Sequence, residues 1–331
     1  MKEIQIVQIG LGPLGIRIAE FIQSRAGVKT IAAVDKNPAL IGKKLNEISD
    51  QLQSTIEIKS SIEEVLKDKK PDAVILTTVS DMKVIVPQIK DIIKHGIPVV
   101  STCEELSYPW EANPELAKEL NEAAINHNVA VLGTGVNPGF LMDALPSFLT
   151  GICQHVTSVR VSRFQNASFR RIPFQKKIGA GLSVEEFENK KKEGTLKHVG
   201  LTESIQFIAN TLGWKLDKVT DEISPVIAET DYDNNGAFVP KGNARGVYQI
   251  GSGYINGTRK IELIFQATIG ESESYDEVCI EGSPGIKSRI SGGVNGDIAT
   301  CAITINAVRS LLKSNPGLRT MADIPMVSFF G

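Results

Sequence analysis

Short apolar runs alternate with amphipathic stretches through the first 145 residues. Gln5-Ile6-Val7-Gln8-Ile9 is rich in β-branched residues and reads as a buried strand, and a helical apolar period starts at Ile16. A second apolar run, Val28–Val34, ends on Asp35, and Lys36-Asn37-Pro38 predicts a turn. Residues 39–60 look irregular, with a short strand near Ile56-Glu57-Ile58. Ser61-Ile62-Glu63-Glu64 has the spacing of a capping box, with the Ser61 hydroxyl on the Glu64 N–H and Glu64 reaching back. Strands follow at Asp72–Thr78, Ile97–Ser101 and Val129–Leu132. They are separated by a helix over 82–95 that His95-Gly96 ends and a helix that Pro114 opens. Five strand–helix units in a row predict an α/β fold, a doubly wound parallel sheet covered on both faces.

The pattern changes from about residue 146. Strands become longer and alternate in polarity, at Val156–Arg163, Val247–Ile250 and Arg259–Ile269, and Asn256-Gly257 between two such runs is a type I′ hairpin signal. Ser183-Val184-Glu185-Glu186 is a second capping box, and a helix over 201–213 ends at Gly213. These features predict an α+β substrate and dimerisation domain over 146–295 with a largely antiparallel sheet, after a dinucleotide-binding domain over 1–145. A helix from Gly296 through Leu312 opens the last segment, 296–331, which is expected to return to the first domain.

Composition changes this picture little. The 331 residues, 42% of them hydrophobic, allow two well-filled domains, and a net charge of −2 lacks the basic footprint of a nucleic-acid binder. No apolar run is long enough to span a membrane, and the direct entry into the first strand leads to the expectation of no cleavable leader. Cys103, Cys153, Cys279 and Cys301 show no metal spacing and read as reduced thiols of a cytoplasmic protein; no metal is expected.

The chemistry starts between the first strand and helix. Gly10-Leu11-Gly12-Pro13-Leu14-Gly15 has G-x-G-x-x-G spacing: Gly10 for the turn, Gly12 for close approach of a pyrophosphate, Gly15 for helix–strand packing, with Pro13 and Leu14 in the same loop. Asp35 lies about twenty residues past the glycines, placed for the adenosine ribose. It favours NAD by repelling a 2′-phosphate, while adjacent Lys36 would tolerate NADP. Thr78 and Ser80 end the next strand where a doubly wound sheet meets its cofactor.

Two later loops leave the same sheet edge. Ser101-Thr102-Cys103-Glu104-Glu105-Leu106 puts paired carboxylates just past a buried strand, where the nicotinamide would lie and Thr102 would touch the cofactor. A carboxylate there can hold an ammonium or iminium and move a proton; helix or loop capping is the competing use for either Glu104 or Glu105. Cys103 lacks a readable His partner and fits a buried packing role. Gly133-Thr134-Gly135-Val136-Asn137-Pro138-Gly139-Phe140 offers free backbone donors, Asn137 for the nicotinamide carboxamide and Phe140 beside the substrate, although an Asn-Pro turn explains much of its composition. In the second domain Arg163, Asn166 and His198 are weaker candidates for polar groups of the substrate.

The glycine loop, STCEELSYPW at 101–110, GTGVNPGFLMDALP at 133–146, KIGAG at 177–181, HVGLTES at 198–204 and GDIATCAITINA at 296–307 together resemble the 2,4-diaminopentanoate dehydrogenases and the related native amine dehydrogenases. The resemblance spans nearly the whole chain. It implies a dihydrodipicolinate reductase-like fold, a Rossmann domain plus a substrate and dimer domain, and reversible interconversion of an amine with a ketone and ammonium using NAD(P). It implies that the acid of the STCEEL loop is essential, Glu104 preferred and Glu105 kept beside it. The amino-acid-binding set of the diaminopentanoate enzymes does not map firmly onto Arg163, Asn166 and His198, so a simple primary amine stays open as substrate. An imine reductase of the dihydrodipicolinate reductase type is the alternative, although its paired His and following Lys are absent. A turnover-free NADH sensor is the alternative from outside enzymology. A small-molecule partner and a symmetric homodimer are expected.

Overall fold

The computed structural model describes residues 3–331 except 171, 197–198 and 235–236. The chain divides into two compact units, residues 1–140 with 295–331, and residues 141–294.

In chain order the first unit begins with β1 (Ile4–Ile9), α1 (Pro13–Gln23), β2 (Val28–Val34), β3 (Ile58–Lys59), α2 (Ile62–Leu66), β4 (Ala73–Leu76) and α3 (Met82–Ile93). It continues with β5 (Val99–Ser101), α4 (Pro114–Asn126) and β6 (Ala130–Gly133). The second unit carries α5 (Ala144–Leu149), β7 (His155–Asn166), α6 (Ile172–Lys177), α7 (Val184–Lys192), α8 (Leu201–Thr211) and β8 (Lys218–Ile227). After the short pair β9 (Tyr232–Asn234) and β10 (Ala237–Val239) come β11 (Ala244–Ile255), β12 (Thr258–Thr268), β13 (Tyr275–Ser283) and β14 (Ile286–Ser291). The chain then returns to the first unit with α9 (Gly296–Leu311) and β15 (Gly317–Arg319).

The first unit is one parallel sheet of seven strands in the order β15-β6-β5-β4-β1-β2-β3. Its strands are buried on both sides, which is why they read as continuous apolar runs. Val7, Val74, Leu76 and Val99 pack with Ile85 and Ile89 of α3 and Leu120 of α4 on one face. Ile6, Ile75, Val100 and Leu132 pack with Ile18 and Ile22 of α1 and Ile305 and Val308 of α9 on the other. The seventh strand was not anticipated: Gly317–Arg319, in the last segment of the chain, pairs with Ala130–Leu132. It is three residues long, too short for a period to show.

The second unit is a six-stranded sheet in the order β14-β13-β7-β12-β11-β8, antiparallel except where β7 runs parallel to β12. Asn256 and Gly257 form the hairpin turn between β11 and β12 with φ of 51° and 72°, the left-handed pair a type I′ turn requires. The Ser183/Glu186 capping box is present in full. The Ser61 box is half formed: the hydroxyl accepts from Glu64 N–H, but the Glu64 carboxylate takes the Ser60 hydroxyl at 2.5 Å.

Candidate active site

The glycine loop is built from steric limits. Gly10 has φ of 88°, and a Cβ there would lie 2.7 Å from the Thr77 carbonyl oxygen. A Cβ on Gly15 would fall 1.9 Å from the Gly10 carbonyl oxygen, so α1 sits on the loop as closely as two backbones can. A Cβ on Gly12 would meet nothing within 4 Å, because Gly12 faces open space at the N-terminus of α1. The first N–H groups of that helix have no partner within it, and with the dipole they form an anion site. Pro13 is the first helical residue and Leu14 packs toward the α9 layer.

A residue the sequence pattern hid supports this loop. Gln8 sits in the middle of β1 and is 0% exposed. Its amide donates to the Gly10 carbonyl at 3.0 Å and to Thr77 Oγ1 at 2.9 Å, and the Thr77 hydroxyl donates to the same carbonyl at 2.8 Å. A polar residue flanked by Val7 and Ile9 in a buried strand was the available signal.

Beside the loop lies a cavity of about 400 Å³ lined by Gly10, Gly12, Asp35, Lys36, Ser61 and Thr78, among others. Asp35 Oδ2 accepts the Leu11 N–H at 2.6 Å and Oδ1 accepts the Asn37 N–H at 2.8 Å, which fixes the carboxylate against the glycine turn. Lys36 is exposed at the rim. Thr78 Oγ1 bonds Gln88 Oε1 at 2.9 Å, and Gln88 and Asp91 of α3 join the lining, a contribution sequence order does not announce. The open space at Gly12, the unpaired helix end and the carboxylate at the tip of β2 fit a dinucleotide. Ser80 and Thr102 lie outside this cavity's lining and make backbone bonds, Ser80 accepting from Glu105 N–H at 3.4 Å and Thr102 donating to Leu76 at 3.2 Å.

At the next sheet edge the two acids separate. Glu105 Oε2 accepts the Met82 N–H at 2.9 Å and so caps the N-terminus of α3. Its capped residue lies 23 positions earlier in the chain, a use that no local pattern reveals. Glu104 opens the 3₁₀ turn Glu104–Ser107, half-buried, with Oε2 shielded from solvent. Burial in an apolar setting pushes the Cys103 thiol up to about 12, which suits packing and not nucleophilic attack.

The Asn-Pro loop packs directly on that turn. A Cβ on Gly133 would lie 2.5 Å from the Leu106 carbonyl, and Thr134 N–H donates to the Ser101 carbonyl at 2.9 Å. The peptide Asn137–Pro138 is cis. Asn137 Oδ1 and Nδ2 are both buried without a hydrogen-bond partner among the described residues, and so is Thr134 Oγ1. Buried amides ordinarily meet both their donor and their acceptor needs, so this one has hydrogen-bonding capacity left over in the loop. Phe140, half-buried, ends the first unit.

The second-unit candidates do not form a binding set. Arg163 is 2% exposed and closed into an ion pair with Asp276 at 2.6 Å. Burial lowers its pKa and raises that of Asp276, while their mutual attraction opposes both shifts. Asn166 caps a 3₁₀ turn, Oδ1 accepting from Ser168 N–H and Nδ2 donating to the Glu271 carbonyl at 2.8 Å. Both side chains are engaged within the second unit; a strand-end Arg and Asn look the same in sequence whether or not they face solvent. His198 lies outside the described residues. No helix among the described residues is long and apolar enough to cross a membrane.

A doubly wound sheet with this glycine loop and an acid at the second strand end has the form of a dinucleotide-binding domain, and the relatives, all dehydrogenases by name, make the chain an NAD(P)-dependent oxidoreductase by class. Within that class, the chain belongs to the 2,4-diaminopentanoate dehydrogenase family. The profile of the 2,4-diaminopentanoate dehydrogenase C-terminal domain matches residues 140–330. The chain is 34% identical to the 2,4-diaminopentanoate dehydrogenase of Acetoanaerobium sticklandii, over 98% of this chain and 94% of that one. It is 22% identical to an amine dehydrogenase of Streptomyces virginiae over 98% and 96% of the two chains. The solved amine dehydrogenase of Mycobacterium smegmatis superposes with a TM-score of 0.85 at 21% identity, covering 99% of this chain and 98% of that one.

Proposed function

We propose that this protein is an NAD-linked amine dehydrogenase that reversibly deaminates a primary amine, 2,4-diaminopentanoate or a simpler one, to a ketone and ammonium. The observation that carries this reading is the half-buried Glu104, which opens the turn following β5, a turn packed on the start of the loop that carries the buried Asn137 amide. Names of relatives point the same way. In the oxidative direction the substrate ammonium gives up a proton and the free amine loses hydride from the carbon bearing nitrogen. Water adds to the resulting iminium carbon with loss of a proton, a proton returns to nitrogen, and the C–N bond breaks as the carbonyl forms, so that nitrogen leaves as ammonium. A carboxylate beside that carbon attracts the ammonium, then the iminium, and takes a proton from the attacking water. Glu104 is assigned this work, and Asn137 holds a carboxamide or polar substrate group.

When bound, the dinucleotide supplies the two-electron acceptor; Gly12 and the α1 N-terminus hold its pyrophosphate and Asp35 its ribose hydroxyls. Asp35 favours NAD because a 2′-phosphate would meet a carboxylate already fixed by two backbone N–H groups.

The test is NADH oxidation with a panel of ketones, 2-amino-4-oxopentanoate among them, with and without ammonium. Oxidation that strictly requires ammonium supports the assignment; turnover of a preformed cyclic imine without ammonium overturns it. Glu104→Gln is expected to lower kcat by about 10²–10⁴ with NADH affinity kept. Glu105→Gln should retain turnover and lower stability by about 1 kcal/mol through the weakened cap of α3, read by denaturant titration.

A further inference from the structure

Three polar contacts in the second unit converge on Val294, and an ion pair links two of the side chains that make them. Arg163 Nη1 donates to Asp276 Oδ1 at 2.6 Å and Nη2 donates to the Val294 carbonyl at 2.9 Å. Gln165 Nε2 donates to that carbonyl at 2.8 Å, and Asp276 Oδ2 accepts the Val294 N–H at 2.7 Å. Both backbone groups of Val294 are thereby held by buried side chains of β7 and β13, neighbouring strands of the sheet.

Val294 is also the last residue of the second unit, and Asn295 is the first of the returning segment. The stretch before it, Gly292-Gly293, has φ of 80° and 66°, a backbone with little intrinsic stiffness. The residue after it is tied elsewhere: Asn295 Oδ1 accepts the N–H groups of Asp297 and Ile298 and caps α9. Adjacent residues are therefore anchored to different units, and the anchor on the sheet side is a desolvated ion pair. The first crossing is followed by a comparable tie, the buried Asp143 accepting the Ser204 hydroxyl of α8 at 2.8 Å.

We propose that Arg163, Asp276 and Gln165 form a clamp that fixes Val294, where the chain leaves the sheet unit. We further propose that Arg163 serves the reaction as a positioning residue and not as a ligand for a substrate carboxylate. The second half rests on the amine dehydrogenase reading; the first does not. A buried ion pair adds little net stability, but its geometry admits few alternatives, and a fork donating to a carboxylate and a carbonyl at once sets direction as well as distance. Small displacements remote from the reacting atoms lower rates by up to about a hundredfold.

The experiment pairs hydrogen exchange at the Val294 amide with steady-state kinetics. Arg163→Met alone would leave Asp276 buried and uncompensated, so the principal variant is the double R163M/D276L, which removes both charges together. Gln165→Met, with the ion pair whole, is the milder one. In the double variant Val294 exchange should accelerate at least about tenfold, and kcat should fall about 10- to 100-fold. The kcat loss should be the same for 2-amino-4-oxopentanoate and for an uncharged ketone of equal length. The ratio of their KM values and the affinity for NADH should stay unchanged. Gln165→Met should show the same pattern at smaller amplitude.

A KM increase confined to the carboxylate-bearing ketone would make Arg163 a substrate ligand and overturn the proposal. Unchanged Val294 exchange would overturn the clamp itself. Faster exchange with full kcat would refute its catalytic consequence. If no ketone is turned over by the parent protein, exchange still decides the clamp, and the failure falls on the reaction assignment.

Discussion

Gly12 and Gly15 sit three residues apart, and a methyl group has opposite consequences at the two. At Gly15 it would be driven into the Gly10 carbonyl at 1.9 Å, while at Gly12 it would enter open space. Gly15→Ala is therefore expected to destabilise the protein by about 1–3 kcal/mol through overpacking and to weaken NADH binding with it. Gly12→Ala should keep stability within about 0.5 kcal/mol while NADH affinity falls at least about tenfold, since the added group occupies the phosphate approach. Denaturant titration and fluorescence titration with NADH separate the two effects. The glycines and Asp35 were legible because their constraints are local and their spacing is fixed by one turn. Gln8, Gln88 and Asp91 were not: their roles arise from contacts across the sheet edge, where sequence separation carries no information. Arg163 shows the limit most plainly, since only its partner on β13 reveals that its charge is already matched.

Capping boxes show how far an element can be read from its own residues. Ser183 and Glu186 close theirs, the Glu186 carboxylate accepting both the N–H and the hydroxyl of Ser183 at 2.8 Å. Glu64 has the same spacing but finds the hydroxyl of Ser60 first. The Ser183 bonds hold the Glu186 carboxyl below its usual value of 4.5. A depressed folded-state pKa means the cap's contribution is fully present above pH 4.5 and is lost as pH falls through the folded value. Amide exchange in the first turn of α7 should accordingly accelerate on acidification below that point. Ser183→Ala, which costs about 1 kcal/mol, should show the faster exchange already at neutral pH. The strand β15 marks the opposite case. Its three residues carry no periodic signal, and its place follows from the Leu318 N–H meeting Asn121 Oδ1 and from pairing with β6.

For the molecule as a whole, the cofactor unit is assembled from the two ends of the chain and interrupted by the sheet unit. Binding to the glycine loop should therefore protect amides in residues 1–140 and 295–331. At a hundredfold excess over Kd, NADH should add about 2.7 kcal/mol to stability. NADPH at the same concentration should add less if Asp35 selects against the 2′-phosphate. Thermal unfolding with each nucleotide, with exchange mapped by segment, checks both statements; equal protection by the two would remove Asp35 as the selecting group.

By itself the sequence determined the doubly wound sheet, the tight glycine turn between its first strand and helix, the antiparallel character of the second unit and the family, because each is written in local periodicity or short spacings. Tertiary structure decided which of two adjacent acids caps a helix, where a buried arginine finds its charge partner, and which strand completes the sheet. Those outcomes depend on groups brought together from distant parts of the chain, and a hydrogen bond or ion pair is settled only when both partners and their access to water are known.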